Sequence, residues 1–152
     1  MSFRSLGIVF ILSFFQIALW AQAPLPCGMV AQMEPFCSDA CIICDIDGFT
    51  GINDSPVGGS APDDFCTTQE NNVQWIAFIA GSVDLTLEVT VGNCTGGSNS
   101  LEVGIYEGIN CTNFKKVSNC DTDIPENTTE TFTTFEPLVF GQYYFFVMDG
   151  SW

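Results

Sequence analysis

The chain has 152 residues and a formal net charge of −15 at pH 7, because 18 Asp and Glu face only three Lys and Arg. A charge of this sign repels nucleic acid and anionic membranes, and it favours cations, basic partners or neutral ligands. No histidine occurs in the sequence, which excludes Ser-His-Asp and Cys-His catalysis and any imidazole metal site.

The first residues have the composition of a secretory signal peptide. Arg4 precedes a mostly apolar stretch over residues 6–20, and the small residues Ala21 and Ala23 follow it. The stretch is shorter than the ~20 residues that a membrane-spanning helix needs. We therefore predict that residues 1–21 are a signal peptide, that the mature protein is secreted or displayed on the cell surface, and that no stable membrane insertion remains.

The remaining residues divide into two parts that differ in their pattern of apolar and polar residues. Residues 22–66 show little alternation and carry many turn formers, which predicts a Cys-rich loop segment, called the leader below, that packs on the rest. Residues 57–64 are predicted to be its most mobile part. Residues 67–152 show the period of two that is typical of β-strands, and they are predicted to form a β-sandwich.

All eight cysteines follow the predicted signal peptide. An even number of cysteines in an exported chain predicts disulfides, although eight cysteines allow 105 pairings and the sequence does not choose among them. The first candidate bridge joins Cys111 to Cys120, because these two cysteines are close in sequence and would close a short loop. An iron–sulfur or zinc site at the Cys37-x3-Cys41-x2-Cys44 triplet is an alternative that favours a reducing compartment. The disulfide candidates are Cys27, Cys37, Cys41, Cys44, Cys66, Cys94, Cys111 and Cys120.

The stretch 73–91 predicts a β-hairpin with a two-residue turn at Gly81-Ser82. In that register Phe78 faces Leu85, and one face of the hairpin is apolar. Trp75 falls on the other face, opposite Glu88. The apolar face consists of Ile76, Phe78, Leu85, Leu87, Val89 and Val91.

Three later segments also have the pattern of strands. The stretch 101–108 alternates, with Val103 and Ile105 on one face and Tyr106 on the other. The stretch 129–140 is a Thr-rich strand and corner, and 141–150 is apolar on both faces, as in a central strand covered on both sides. The whole predicts an all-β protein, an antiparallel, jelly-roll-like sandwich. The end after a turn signal at 149–152 leads us to expect that this sandwich is incomplete at its C-terminus.

Two groups of side chains are candidate binding residues. Exposed aromatic residues stack on sugar rings or partner proteins, and Trp75, Tyr106 and Tyr143 are candidates for such a platform. The alternative is that the leader covers them. Calcium takes oxygen ligands, and a site is conceivable where loop acids converge in an oxidising medium. The candidate calcium ligands are Asp45, Asp47, Asp63, Asp64 and Asp149.

Several segments together resemble an N-terminal module of large secreted or cell-surface proteins of Bacteroidetes, which carry PKD or other Ig-like repeats and a type IX secretion sorting tail. These segments are CIICDIDGFTG, FCTT, NNVQWIAFIAG, LEVGIYEG and PLVFGQYYFFVMDG, within residues 37–152. Their layout is also similar to bacterial pre-peptidase C-terminal (PPC) domains, which are jelly-roll-like. The resemblance implies a sandwich without catalytic residues.

We therefore expect a non-catalytic extracellular module with an adhesive, structural or domain-presenting role. Its expected partners are other domains of the same longer chain, with a glycan or surface protein as further candidates. A carbohydrate-binding accessory module and a fragment of a secreted hydrolase are the alternatives. No cofactor is expected apart from the calcium considered above.

Overall fold

The computed structural model describes residues 26–28, 30–53, 59–95 and 100–150. The predicted signal peptide, residues 57 and 58 of the predicted mobile stretch, and the last two residues lie outside this part. Apart from a short 3-10 helix at Cys37–Asp39, the regular elements described are β-strands, which confirms the all-β prediction. They are β1 Val30–Gln32, β2 Ile42–Ile43, β3 Thr50–Ile52, β4 Gln74–Ile79, β5 Thr86–Thr90, β6 Ser100–Ile109, β7 Thr112–Lys116, β8 Asp121–Pro125, β9 Thr129–Thr133 and β10 Tyr143–Gly150.

The main sheet has six strands, with β2, β4, β10, β6 and β7 side by side in that order. β8 also pairs with β6, at the opposite end of that strand from β7. A second layer consists of the antiparallel pair β5 and β9, and a parallel pair joins β1 to β3. All pairs of the main sheet are antiparallel except β2 with β4.

β10 is the central strand, because it pairs with β4 on one side and β6 on the other. Its side chains alternate between two buried clusters, as the apolar pattern on both faces predicts. Tyr144, Phe146 and Met148 belong to the cluster between the two layers, on what we call the core face of the sheet. Phe145 and Val147 belong to the cluster on the opposite side, which we call the leader face.

The predicted hairpin over 73–91 is wrong, although its two faces are correct. β4 pairs with β10, so that Phe78 lies opposite Tyr144 and not Leu85, while β5 pairs with β9 in the other layer. β4 is buried on both faces and needs neighbours on both, whereas Thr86 and Glu88 of β5 are exposed. The residues of the predicted apolar face nevertheless share one cluster, in which Ile76, Phe78, Leu87 and Val91 are buried and Leu85 and Val89 are partly buried.

The leader packs on the main sheet and contributes strand β2 to it. Along the outer edge of β4, the Trp75 N–H donates to the Glu34 carbonyl at 2.8 Å, and the Gly59 N–H donates to the Val73 carbonyl at 3.1 Å. Glycine is required at position 59, because a Cβ atom there would overlap the carbonyl oxygen of Pro35.

Three disulfides fasten the leader: Cys27–Cys41, Cys37–Cys111 and Cys66–Cys120. The candidate bridge between Cys111 and Cys120 is therefore wrong, because Cys111 bonds to Cys37 and Cys120 bonds to Cys66, both in the leader. Cys44 and Cys94 are free thiols, so six of the eight candidates form bridges. The predicted iron–sulfur or zinc alternative fails, since Cys37 and Cys41 belong to different bridges.

No helix within the described ranges is long and apolar enough to cross a membrane.

Candidate functional site

The structure does not form the predicted aromatic platform, because two of its three residues are buried. Trp75 is 2% exposed and Tyr106 is 0% exposed. The Trp75 ring lies 5.0 Å from that of Phe114 and 5.8 Å from that of Phe145, between ring centroids. Trp75 is thus part of an aromatic cluster on the leader face, and its ring is too buried to stack on a sugar.

The leader lies against Tyr106. Its hydroxyl donates to the backbone carbonyl of Asp64 at 3.3 Å, and its ring lies 6.3 Å from that of Phe65. Burial raises the pKa of Tyr106, and Asp64 raises it further. Of the three predicted residues, Tyr143 alone retains exposure, at 38%.

The five acids predicted to hold calcium are not brought together. Asp149 is fully buried at the end of β10, where its carboxylate accepts the backbone N–H groups of Asn71 at 2.9 Å and Asn72 at 2.6 Å. The other four acids lie in exposed loops: Asp45, Asp47, Asp63 and Asp64. In the part of the chain that the structure describes, no group of three or more His, Cys, Asp or Glu is placed to hold a metal ion.

Asp149 instead forms a buried pair with Glu102, its register partner on β6. Burial, together with the nearby Asp149 and Asp123 carboxylates, raises the pKa of Glu102 to about 7. Burial also raises the pKa of Asp149, while the backbone N–H groups that it accepts act in the opposite direction. Two facing carboxylates repel when both are ionised, so Glu102 holds a proton in the folded protein below about pH 7.

Replacing Glu102 with glutamine should change how stability depends on pH. The pKa of Glu102 is higher in the folded than in the unfolded chain, so its proton stabilises the fold at low pH. This contribution is complete below about pH 4.5 and is lost as the pH rises to about 7. We expect Glu102→Gln to be more stable than the parent at pH 8 by roughly 3 kcal/mol, with little difference at pH 4. Urea unfolding at both pH values measures this, and equal differences at the two values would contradict it.

One end of the sandwich exposes a group of large apolar side chains, which we call the end surface. Phe140 is 73% exposed and Val139 is 57% exposed, in the loop that precedes β10. Tyr143, at the start of β10, lies opposite Ile79 at the end of β4. The end surface comprises Ile79, Val83, Val139, Phe140 and Tyr143.

Backbone hydrogen bonds hold the two loops of the end surface together. The Ala80 N–H donates to the Gln142 carbonyl at 3.0 Å, and the Gly141 N–H donates to the Ala80 carbonyl at 2.8 Å. The Leu138 N–H donates to the Val83 carbonyl at 2.7 Å. The apolar side chains are therefore displayed on a fixed backbone. Val139 and Phe140 were not among the predicted binding residues. Their signal in the sequence is two large apolar residues immediately before the turn glycine, Gly141.

A second candidate site is a cleft of about 680 Å³ between the two layers, called the β5 cleft below. Residues 86–90 of β5 line one wall and residues 46–51 line the other. The floor is apolar and belongs to the core face of the main sheet, and its residues are Ile43, Ile76, Phe78, Phe146 and Met148. Asp47 and Glu88 also line the cleft, and both are exposed.

The volume of the β5 cleft is within the range of about 300–1,000 Å³ that is typical of ligand pockets. An apolar floor between carboxylates is suited to a ligand with an apolar body and positive charges. The sequence could not indicate this cleft, because its walls come from segments about 40 residues apart whose spacing depends on how the layers pack.

Comparison with protein-family models, with curated proteins and with solved structures finds no match to this chain.

Proposed function

We propose that the chain is a non-catalytic extracellular module of a secreted or cell-surface protein, which anchors or presents neighbouring domains. The end surface is its contact with those domains. The resemblance to N-terminal modules of secreted Bacteroidetes proteins supports the same role.

Export is supported by the disulfides and by the composition of residues 1–21. Structural disulfides persist in oxidising compartments and are rare in the cytosol. The two longest-range bridges, Cys37–Cys111 and Cys66–Cys120, join the leader to the strand region of the chain.

The bridges predict a count of two free thiols in the denatured, unreduced protein, from Cys44 and Cys94. Eight reactive thiols would contradict it.

The end surface is the observation that carries the anchoring role. Exposed apolar side chains that lie together, in a protein of high net charge, mark contacts with other proteins. The exposure of Phe140, at 73%, is the highest among the large apolar residues of the described chain. The carbohydrate-binding alternative is weakened, because its principal stacking residues, Trp75 and Tyr106, are buried.

Mutation of the chromosomal gene in the source cells tests this function. We expect Phe140→Ser to reduce the amount of the complete gene product retained on the cells, because it removes apolar area from the contact. Phe36→Ser is the matched control, since Phe36 is 50% exposed but lies in the leader, outside the end surface. Surface proteolysis of intact cells followed by mass spectrometry measures retention. Equal retention of both variants, or a product confined to the cytosol, would contradict the proposal.

A further inference from the structure

β5 pairs with β9 on one side, and its backbone on the other side has no strand partner among the described residues. The Asn119 side chain accepts the Thr133 N–H at 3.0 Å and donates to the Thr131 carbonyl at 3.4 Å. Those two groups of β9 therefore point away from β5. In an antiparallel pair, two directly opposite residues point their backbone groups either both toward each other or both away from each other. The register partners Thr86 and Glu88 therefore point their backbone groups away from β9.

This open backbone edge of β5 forms one wall of the β5 cleft. An extended segment placed along it would bond to the N–H and C=O groups of Thr86, Glu88 and Thr90. Its side chains would then alternate. Every second one would point inward to the apolar floor formed by Ile76 and Met148, and the others would lie beside the exposed side chains of β5.

The charges of the β5 cleft select among such segments. Glu88 is at the middle of β5 and exposed, and Asp47 lies on the opposite wall. A Lys or Arg opposite Glu88 forms a favourable cross-strand pair, whereas an acid there is repelled. A second copy of this chain is disfavoured, because pairing of β5 with β5 about its centre places Glu88 opposite Glu88.

We infer that the β5 cleft binds an extended segment of another protein, which adds a strand to β5. The segment carries apolar residues at alternate positions and Lys or Arg between them. The open edge supplies the backbone bonds, the floor selects the apolar positions, and Glu88 and Asp47 select the basic ones. This site goes beyond the proposed function and shares no residue with the end surface.

Titration of the whole protein with a synthetic peptide tests the inference. The probe alternates valine with lysine and threonine, and calorimetry measures its affinity. We expect saturable binding to one site, and weaker binding of a scrambled peptide of the same composition. Methylation of alternate backbone nitrogens on the probe should abolish binding, because it removes the donors that pair with β5.

Two variants of β5 locate the bound peptide. Glu88→Lys should weaken binding of the lysine peptide by about threefold to tenfold, and it should favour the same peptide with glutamate in place of lysine. Glu130→Lys is the matched control, with the same charge change on β9, and it should alter the affinity less. Thr86→Pro should also weaken binding, because it removes an N–H that points to the open edge and not to β9. Near-UV circular dichroism checks that each variant is folded.

Several outcomes would overturn the inference. These are no binding, equal binding of the scrambled peptide, an equal effect of the two lysine variants, tighter binding of a peptide of residues 1–25 than of the probe, or a dimer in sedimentation that Glu88→Lys disrupts. A failure of this kind does not contradict the proposed function, because that function is tested separately by the amount of the Phe140→Ser variant that is retained on cells.

Discussion

Trp75→Ala is expected to lower the free energy of unfolding by about 3–5 kcal/mol, the usual cost of truncating a buried large aromatic side chain. Trp75 is 2% exposed and packs on the rings of Phe114 and Phe145, so its removal leaves a cavity on the leader face. Urea unfolding of the oxidised protein measures the change.

Tyr143→Ala is the matched control for this effect. Tyr143 also projects toward the leader face but is 38% exposed, and its truncation should cost about 1 kcal/mol or less. If Trp75→Ala had the stability of the parent and lost binding to a glycan array, Trp75 would be a ligand residue and its assignment to the core would be wrong.

Removing the bridge between Cys37 and Cys111 is expected to have an effect of similar size. The bridge joins residues 74 positions apart, and a cross-link over a loop of that length stabilises a protein by about 4 kcal/mol in the chain-entropy description. The double variant Cys37→Ser/Cys111→Ser should therefore unfold at much lower urea concentration than the parent. The shorter bridge, Cys27–Cys41, spans 14 positions and should contribute about 3 kcal/mol.

Cys44→Ser is the control for the bridge variants, because Cys44 is exposed and unpaired. Its stability should match that of the parent. A loss of stability in Cys44→Ser as large as that in the double variant would mean that the protein pairs its cysteines differently from the arrangement described above.

The sequence was sufficient to assign side chains to the faces of the strands, but not to identify which strands pair. Alternation placed Ile76, Phe78 and Leu87 correctly in one core, because period two follows from strand geometry alone. It could not reveal that β4 pairs with β10, about 70 residues away, since a period carries no information about which strand lies alongside. A short turn at Gly81-Ser82 was the only local cue, and it favoured the wrong neighbour.

The candidate site was less predictable than the fold, for a related reason. Burial of Trp75 and Tyr106 depends on a leader that has no periodic pattern and is held by bridges between distant cysteines. The acids predicted to bind calcium were chosen by composition, and composition does not show that backbone N–H groups occupy the Asp149 carboxylate. The end surface and the β5 cleft arise from loops and layers that meet only in the folded protein.

The central position of β10 has a consequence for the order of folding. β4 and β6 do not pair with each other, so the main sheet cannot close until β10, the last of the described strands in the chain, is available to insert between them. Contacts between residues so far apart in sequence make folding slow. A chain emerging from the ribosome would therefore leave β4 and β6 without their shared partner until residues 143–150 have been made.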